Sequence, residues 1–164
     1  MPARTKTSTA QEAPPAYAGG AAGEVVYVDT SVWVALLARE APHAALAQWL
    51  AAAPQVLCCA DWTQVELASA VGIKYRRGEL ALADAQRIGA VFASMMAYQV
   101  REIPLQSSDV RQAMALCHDM DKGLRAGDAL HLAVAMRYQC SHFFSFDHHL
   151  NRKAELAGLR LTRL

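Results

Sequence analysis

The chain has 164 residues, 54% of them hydrophobic and 19% charged, and its 16 Lys and Arg against 15 Asp and Glu leave a formal net charge of +1. That suits one compact domain with a real core, and bulk charge points to no class of partner. No apolar run approaches the roughly 18 residues that span a membrane, and the basic N-terminus lacks the apolar stretch of a secretory signal. Cys58, Cys59, Cys117 and Cys140 contain no C-x-x-C spacing. They read as buried free thiols, which favours a reducing cytoplasm.

Residues 1–23 are rich in Ala, Pro, Thr, Ser and Gly without periodicity and read as a disordered leader. The folded domain is expected over 24–164. A strand is expected to end at Asp29, with a helix to about Arg39 and a second helix from Pro42 to Ala53, its Leu46, Trp49 and Leu50 facing inward. Pro54 breaks that helix, and 55–60 reads as a strand. Asp61 is positioned to cap a helix ending near Gly78, and another helix covers 82–98. A strand follows at 99–103, then a helix from a Ser107 or Ser108 cap to Met120 and one from Leu124 to Tyr138. His142 to Phe146 reads as a strand closing on Asp147, followed by a short helix to Leu156 and a last strand at 160–163. Strands alternating with helices predict an α/β fold, a three-layer α/β/α sandwich around a mostly parallel sheet.

Four acids stand out in this frame. Val25-Val26-Tyr27-Val28 is a fully apolar run that ends on Asp29, and His142-Phe143-Phe144-Ser145-Phe146 ends the same way on Asp147. Open α/β sheets bind their ligands at the carboxyl ends of strands. Helical spacing places Glu66 with Trp62, Ser69, Ala70 and Ile73, and Asp128 with Leu124, His131, Leu132 and Ala135, so both acids fall on inward faces. Asp147 would also serve as a helix N-cap. Converging carboxylates repel one another and call for a cation. No Lys or Arg is spaced to meet all four, whereas Mg²⁺ or Mn²⁺ suits oxygen ligands and phosphate substrates. Thr30 and Ser31 are positioned either to start the helix or to hold a carboxylate or the metal. Such a centre fits phosphodiester hydrolysis. The chain has no G-x-x-x-x-G-K-[ST] phosphate loop.

The segments Val26-Tyr27-Val28-Asp29-Thr30-Ser31-Val32-Trp33, Thr63-Gln64-Val65-Glu66-Leu67, Leu124 to Ala133 around Asp128, and Phe144-Ser145-Phe146-Asp147-His148-His149-Leu150 resemble, in this order, the motifs of PIN-domain ribonucleases, specifically VapC-type toxins of bacterial toxin–antitoxin systems. The resemblance implies a metal-dependent endoribonuclease, with Mg²⁺ or Mn²⁺ held by Asp29, Glu66, Asp128 and Asp147 and a supporting hydroxyl from Thr30 or Ser31. It also implies a cognate antitoxin. The apolar surface of the early helices (Trp33, Leu36, Leu37, Leu46, Trp49, Leu50) is an expected docking face for that antitoxin or for a homodimer.

With the four acids neutralised, the charge balance becomes +5. Lys122, Arg125, Arg152 and Lys153 are then candidate RNA contacts, with Lys74, Arg76 and Arg77 behind them. His131 and the pair His148 and His149 read as supporting or surface residues rather than ligands. Two rival readings are a non-catalytic PIN-like RNA-binding module and a phosphatase using Asp29 as nucleophile. The second rival wants another Asp where Ser31 stands.

Overall fold

The computed structural model describes residues 24–52 and 56–164. The leader expected over 1–23 and the helix break expected at Pro54 lie outside them. In chain order the elements are β1 (Val25–Val28), α1 (Thr30–Leu37), α2 (His43–Ala52), β2 (Val56–Ala60), α3 (Trp62–Arg76), α4 (Leu82–Tyr98), β3 (Arg101–Ile103), α5 (Ser107–Cys117), α6 (Ala126–Arg137), β4 (His142–Phe144), α7 (His148–Leu156) and β5 (Arg160–Leu161).

Continuous β-branched and aromatic runs suit strands covered on both faces, and the five strands form one parallel sheet in the order β3-β2-β1-β4-β5. Alternation along each strand splits the core in two. Val26, Val28, Leu57, Cys59 and Phe144 join the apolar faces of α1 to α4. Tyr27, Cys58, Ala60 and Phe143 point the other way and join α5, α6 and α7. The result is the expected α/β/α sandwich.

The strand order creates the site. The sheet grows from β1 through β2 to β3, then restarts on the opposite side of β1 with β4 and β5. The carboxyl ends of β1 and β4 therefore flank a switch point, where connections leave to opposite sides and a crevice opens. The ladder continues one step past β1, with Asp29 N–H donating to the Phe144 carbonyl at 2.9 Å.

Several boundaries differ from the sequence reading, each for a local reason. β4 stops at Phe144 rather than Phe146 because Phe146 N–H donates to Ser31 Oγ (3.1 Å) instead of to the sheet. Gln99 is the C-cap of α4, its N–H bonded to the Met95 carbonyl, so β3 starts at Arg101. Neither Ser107 nor Ser108 caps α5; Gln106 is the N-cap, and its N–H donates to Asp109 Oδ2 at 2.8 Å. α5 also ends at Cys117, short of Met120. Leu124 is a buried anchor ahead of α6, with Arg125 as the N-cap. Asp61 does cap α3, and Gly78 follows that helix with φ +75°.

The surface expected to stay open on the early helices is largely consumed. Trp33, Leu36, Leu37 and Leu46 are buried, while Trp49 and Leu50 are half-buried against the same cluster. The apolar cleft on this side instead lies between α3 and α4, about 440 Å³, with Leu67, Val71, Ile88 and Phe92 in its lining. All four cysteines are free thiols. Among the described residues no helix is long and apolar enough to cross a membrane.

Candidate active site

Asp29 is the pivot. It follows β1 directly and caps α1, so a strand end and a helix start fix its backbone together. Only 5% of it is exposed. A carboxylate at that depth needs donors. Oδ2 accepts from Ser31 Oγ (2.6 Å), from Ser145 Oγ (2.8 Å) and, at 3.3 Å, from Ser31 N–H. Ser145 Oγ in turn accepts from Asp147 N–H at 2.9 Å, which ties the end of β4 to the end of β1.

Glu66 reaches the same place from the second turn of α3. Thr30 Oγ1 donates to its Oε2 at 2.5 Å, and His131 Nε2 makes a short contact with the same oxygen. Burial works against ionisation of Glu66, and these two partners outweigh it, so its pKa lies below the ordinary carboxylate value. Thr30 and Ser31 thus occupy the first turn of α1 while their hydroxyls hold two acids in place.

Asp128 sits in the first turn of α6. Burial, followed by the charges of Asp147 and Asp29, pushes its pKa up to about 6. Asp147 is exposed at the N-cap of α7, where Oδ1 accepts from Leu150 N–H at 2.8 Å. All four acids line one cleft of about 700 Å³, together with Thr30, Ser31 and Trp62.

The basic residues are distributed differently from the expectation. Lys74 lines the cleft but is engaged by Glu40 (2.5 Å) and Glu79 (3.1 Å). Lys153 is paired with Asp119 at 3.0 Å, and Arg152 lines a separate groove of about 650 Å³ beside β5. Lys122 and Arg125 are exposed just before α6, with Arg125 three residues from Asp128.

The basic partner inside the site is His131, which the sequence reading set aside as supporting. It is 1% exposed, and its Nε2 lies 3.4 Å from Asp29 Oδ1 as well as against Glu66. Burial opposes its protonation, but Glu66, Asp29 and Asp128 outweigh that, so its pKa lies above the ordinary value. Asp29, Glu66 and His131 each offer a donor atom within 4.8 Å of the others. A buried acid that the sequence reading missed, Asp109, belongs elsewhere: Arg137 Nε (2.6 Å) and Nη2 (3.0 Å) hold it between α5 and α6.

The donor set fits a divalent cation. Four carboxylates face one cleft, hydroxyls pin two of them, and no free Lys or Arg among the described residues balances them. Oxygen-rich sets of this kind suit Mg²⁺ or Mn²⁺. Gly127 shows how tightly Glu66 is placed, since a Cβ there would collide with Glu66 Oε1 and meet the Trp62 indole nitrogen at 3.6 Å. Gly127→Ala is therefore expected to displace the Glu66 carboxylate from its Thr30 and His131 partners. Mn²⁺ affinity, read by titration, should fall about tenfold.

A parallel α/β/α sandwich whose acids converge from four separate segments on the β1/β4 crevice defines a recognisable class of domain. The PIN-domain family model matches residues 26–156, and the chain belongs to that family. Among solved structures, Mycobacterium tuberculosis VapC20, described as a sarcin-ricin-loop-cleaving toxin, is similar with a TM-score of 0.63 at 22% identity, over 78% of this chain and 94% of that one. PAE2754 from Pyrobaculum aerophilum gives 0.62 at 21% identity, covering 88% of each chain. VapBC2 from Rickettsia felis, bound to a DNA fragment from its promoter, gives 0.58 at 13% identity, over 84% and 97%. No curated protein matches the sequence.

Proposed function

We propose that the chain is a divalent-metal-dependent endoribonuclease toxin, using Mg²⁺ or Mn²⁺ and neutralised by a cognate protein antitoxin. The observation that carries the reading is the convergence of Asp29, Glu66, Asp128 and Asp147 on one cleft at the switch point. These four residues would hold the cation. When bound, it supplies Lewis acidity toward a phosphodiester and toward water, and it offsets charge growing on the phosphate.

The chain's own residues do the rest. Ser31 and Ser145 fix the orientation of Asp29, and Thr30 fixes that of Glu66. Asp128, with its pKa near 6, loses its proton readily at neutral pH and so completes the negative cradle. Arg125 and Lys122, exposed beside α6, are placed to take flanking phosphates of the RNA strand. Lys153 and Arg152 are less apt, one being paired and the other facing a different groove.

RNA as the substrate is supported by the likeness to VapC20, named as a toxin that cleaves the sarcin-ricin loop. An antitoxin partner is supported by the likeness to a structure described as a toxin–antitoxin complex from Klebsiella pneumoniae. We place the protein in the cytoplasm, as a homodimer; the free thiols favour that compartment. The phosphatase reading loses support from the geometry of Asp29, which is buried with Oδ2 taken by two hydroxyls, a poor arrangement for a nucleophile.

The test is incubation of the purified protein with total cellular RNA and Mg²⁺ or Mn²⁺, with EDTA as control, followed by sequencing of the new 5′ ends. The reading predicts discrete cuts that EDTA abolishes. Intact RNA with both metals would contradict it. Pull-down after co-expression with the adjacent small reading frame tests the antitoxin, and failure to recover a complex would count against that half of the proposal.

A further inference from the structure

His131 lies within ligand distance of Asp29 and Glu66, so its role decides what kind of metal site this is. Its other nitrogen settles the matter. Nδ1 is 2.8 Å from the Tyr27 hydroxyl, across 104 residues of sequence. Tyr27 is fully buried on the face of the sheet that packs against α5, α6 and α7, stacked on Phe143 with centroids 5.4 Å apart. Its Oη accepts the Ala60 N–H at 3.1 Å, from the end of β2.

These bonds fix where the hydrogens sit. A tyrosine phenol carries its proton at neutral pH. With Oη accepting from Ala60, the phenolic hydrogen is left to donate to Nδ1 of a neutral imidazole, and Nε2 then carries the ring hydrogen. In a protonated imidazole both nitrogens carry hydrogens. The remaining tautomer would press the Nε2 lone pair against a carboxylate oxygen of Glu66, which is repulsive. In either favoured state Nε2–H points at Glu66 Oε2, where Thr30 Oγ1 also donates. An Nε2 that carries a hydrogen has no lone pair for a metal. Both donors fall on Oε2, and Oε1 is left on the side of Gly127 and Trp62.

We propose that Tyr27 and His131 form a hydrogen-bonded strut, anchored on the Ala60 N–H, that positions the Glu66 carboxylate for a divalent cation, and that His131 is not itself a ligand. This rests on the metal-site reading above. It reverses the usual arrangement in which a carboxylate orients a ligating histidine. The imidazole here orients a ligating carboxylate, and the geometry comes from β1, β2 and α6 together. His131 and Tyr27 are therefore positioning residues.

The experiment measures Mn²⁺ binding to the purified protein by electron paramagnetic resonance, with no RNA present. Outer hydrogen-bond partners of ligands are worth roughly 10- to 100-fold in metal affinity. Tyr27→Phe, which keeps the stacked ring and removes the hydroxyl, should weaken Mn²⁺ binding about tenfold. His131→Leu should weaken it up to about 100-fold, and His131→Gln, whose amide N–H can replace Nε2–H, should recover most of that loss. Electron-spin-echo spectra of the wild-type Mn²⁺ complex should lack the nitrogen modulation of a directly bound imidazole.

Imidazole modulation, or a His131→Gln protein as impaired as His131→Leu beside an unaffected Tyr27→Phe, would make His131 a ligand and overturn the strut. Unchanged affinity in all three variants would overturn it as well. Thermal melts check folding, and Tyr27→Phe keeps the test decisive if His131→Leu does not fold. A wild-type protein that binds no Mn²⁺ would overturn the metal reading itself and the strut with it. Normal wild-type binding with unaffected variants would remove the strut alone.

Discussion

Asp128→Asn is expected to move stability and activity in opposite directions. In the protein without metal, ionised Asp128 faces Asp147, Asp29 and Glu66 from a half-buried position, and its pKa of about 6 records that cost. A neutral amide of the same shape removes the repulsion. The melting temperature in EDTA at pH 7 should rise by a few degrees. RNA cleavage should fall by about 10³-fold, because losing a carboxylate ligand forfeits several kcal/mol of charge stabilisation at the phosphate. A variant that melts lower than wild type in EDTA would mean that Asp128 is a structural hydrogen-bonding group and not part of a strained cradle.

The second large effect is on pH. The native carboxyl of Asp128 holds its proton more tightly than the unfolded chain does. Its contribution to stability without metal is therefore full below the ordinary carboxylate pKa and is lost as pH rises toward about 6. Metal binding has the opposite sign, since the proton must leave before a cation is held. Cleavage at limiting Mn²⁺ should thus rise about tenfold per unit up to pH about 6 and then level off. Glu66, held below its usual pKa, and His131, held above its own, also titrate, so the clean measurement is the difference between wild type and Asp128→Asn in EDTA. Their melting temperatures should coincide near pH 4 and diverge toward pH 7, with the variant higher.

The sandwich was legible because its strands are continuous apolar runs punctuated by chemistry: Val25 to Val28 stops on Asp29, and the run through Phe144 stops short of Asp147. The four acids were legible for the same reason, since a carboxylate inside an apolar pattern conflicts with its surroundings. What resisted was anything set by pairing across the sequence. His131 stands visibly one turn after Asp128, but nothing local couples it to Tyr27, which reads simply as another apolar strand residue. Asp109 looked like an ordinary helix acid until α5 packed on α6 and delivered Arg137. Whether Ser31 caps a helix or steadies a carboxylate could not be read from order alone, because both roles use the same first-turn position. The early helices looked over-supplied with apolar surface because the area that Phe144 and α4 would cover is not visible from local spacing.

The central claim is that a divalent cation held by these carboxylates drives cleavage of RNA. It is tested most directly by titrating Mn²⁺ into wild type and Asp29→Asn side by side and following cleavage of a defined RNA. Asp29→Asn keeps the side-chain shape among Ser31 and Ser145, so it should fold normally. The account predicts saturable, EDTA-reversible cleavage by wild type and a rate at least about 10³-fold lower for the variant at every metal concentration. Equal cleavage by the two proteins, or wild-type cleavage that persists in EDTA, would contradict it.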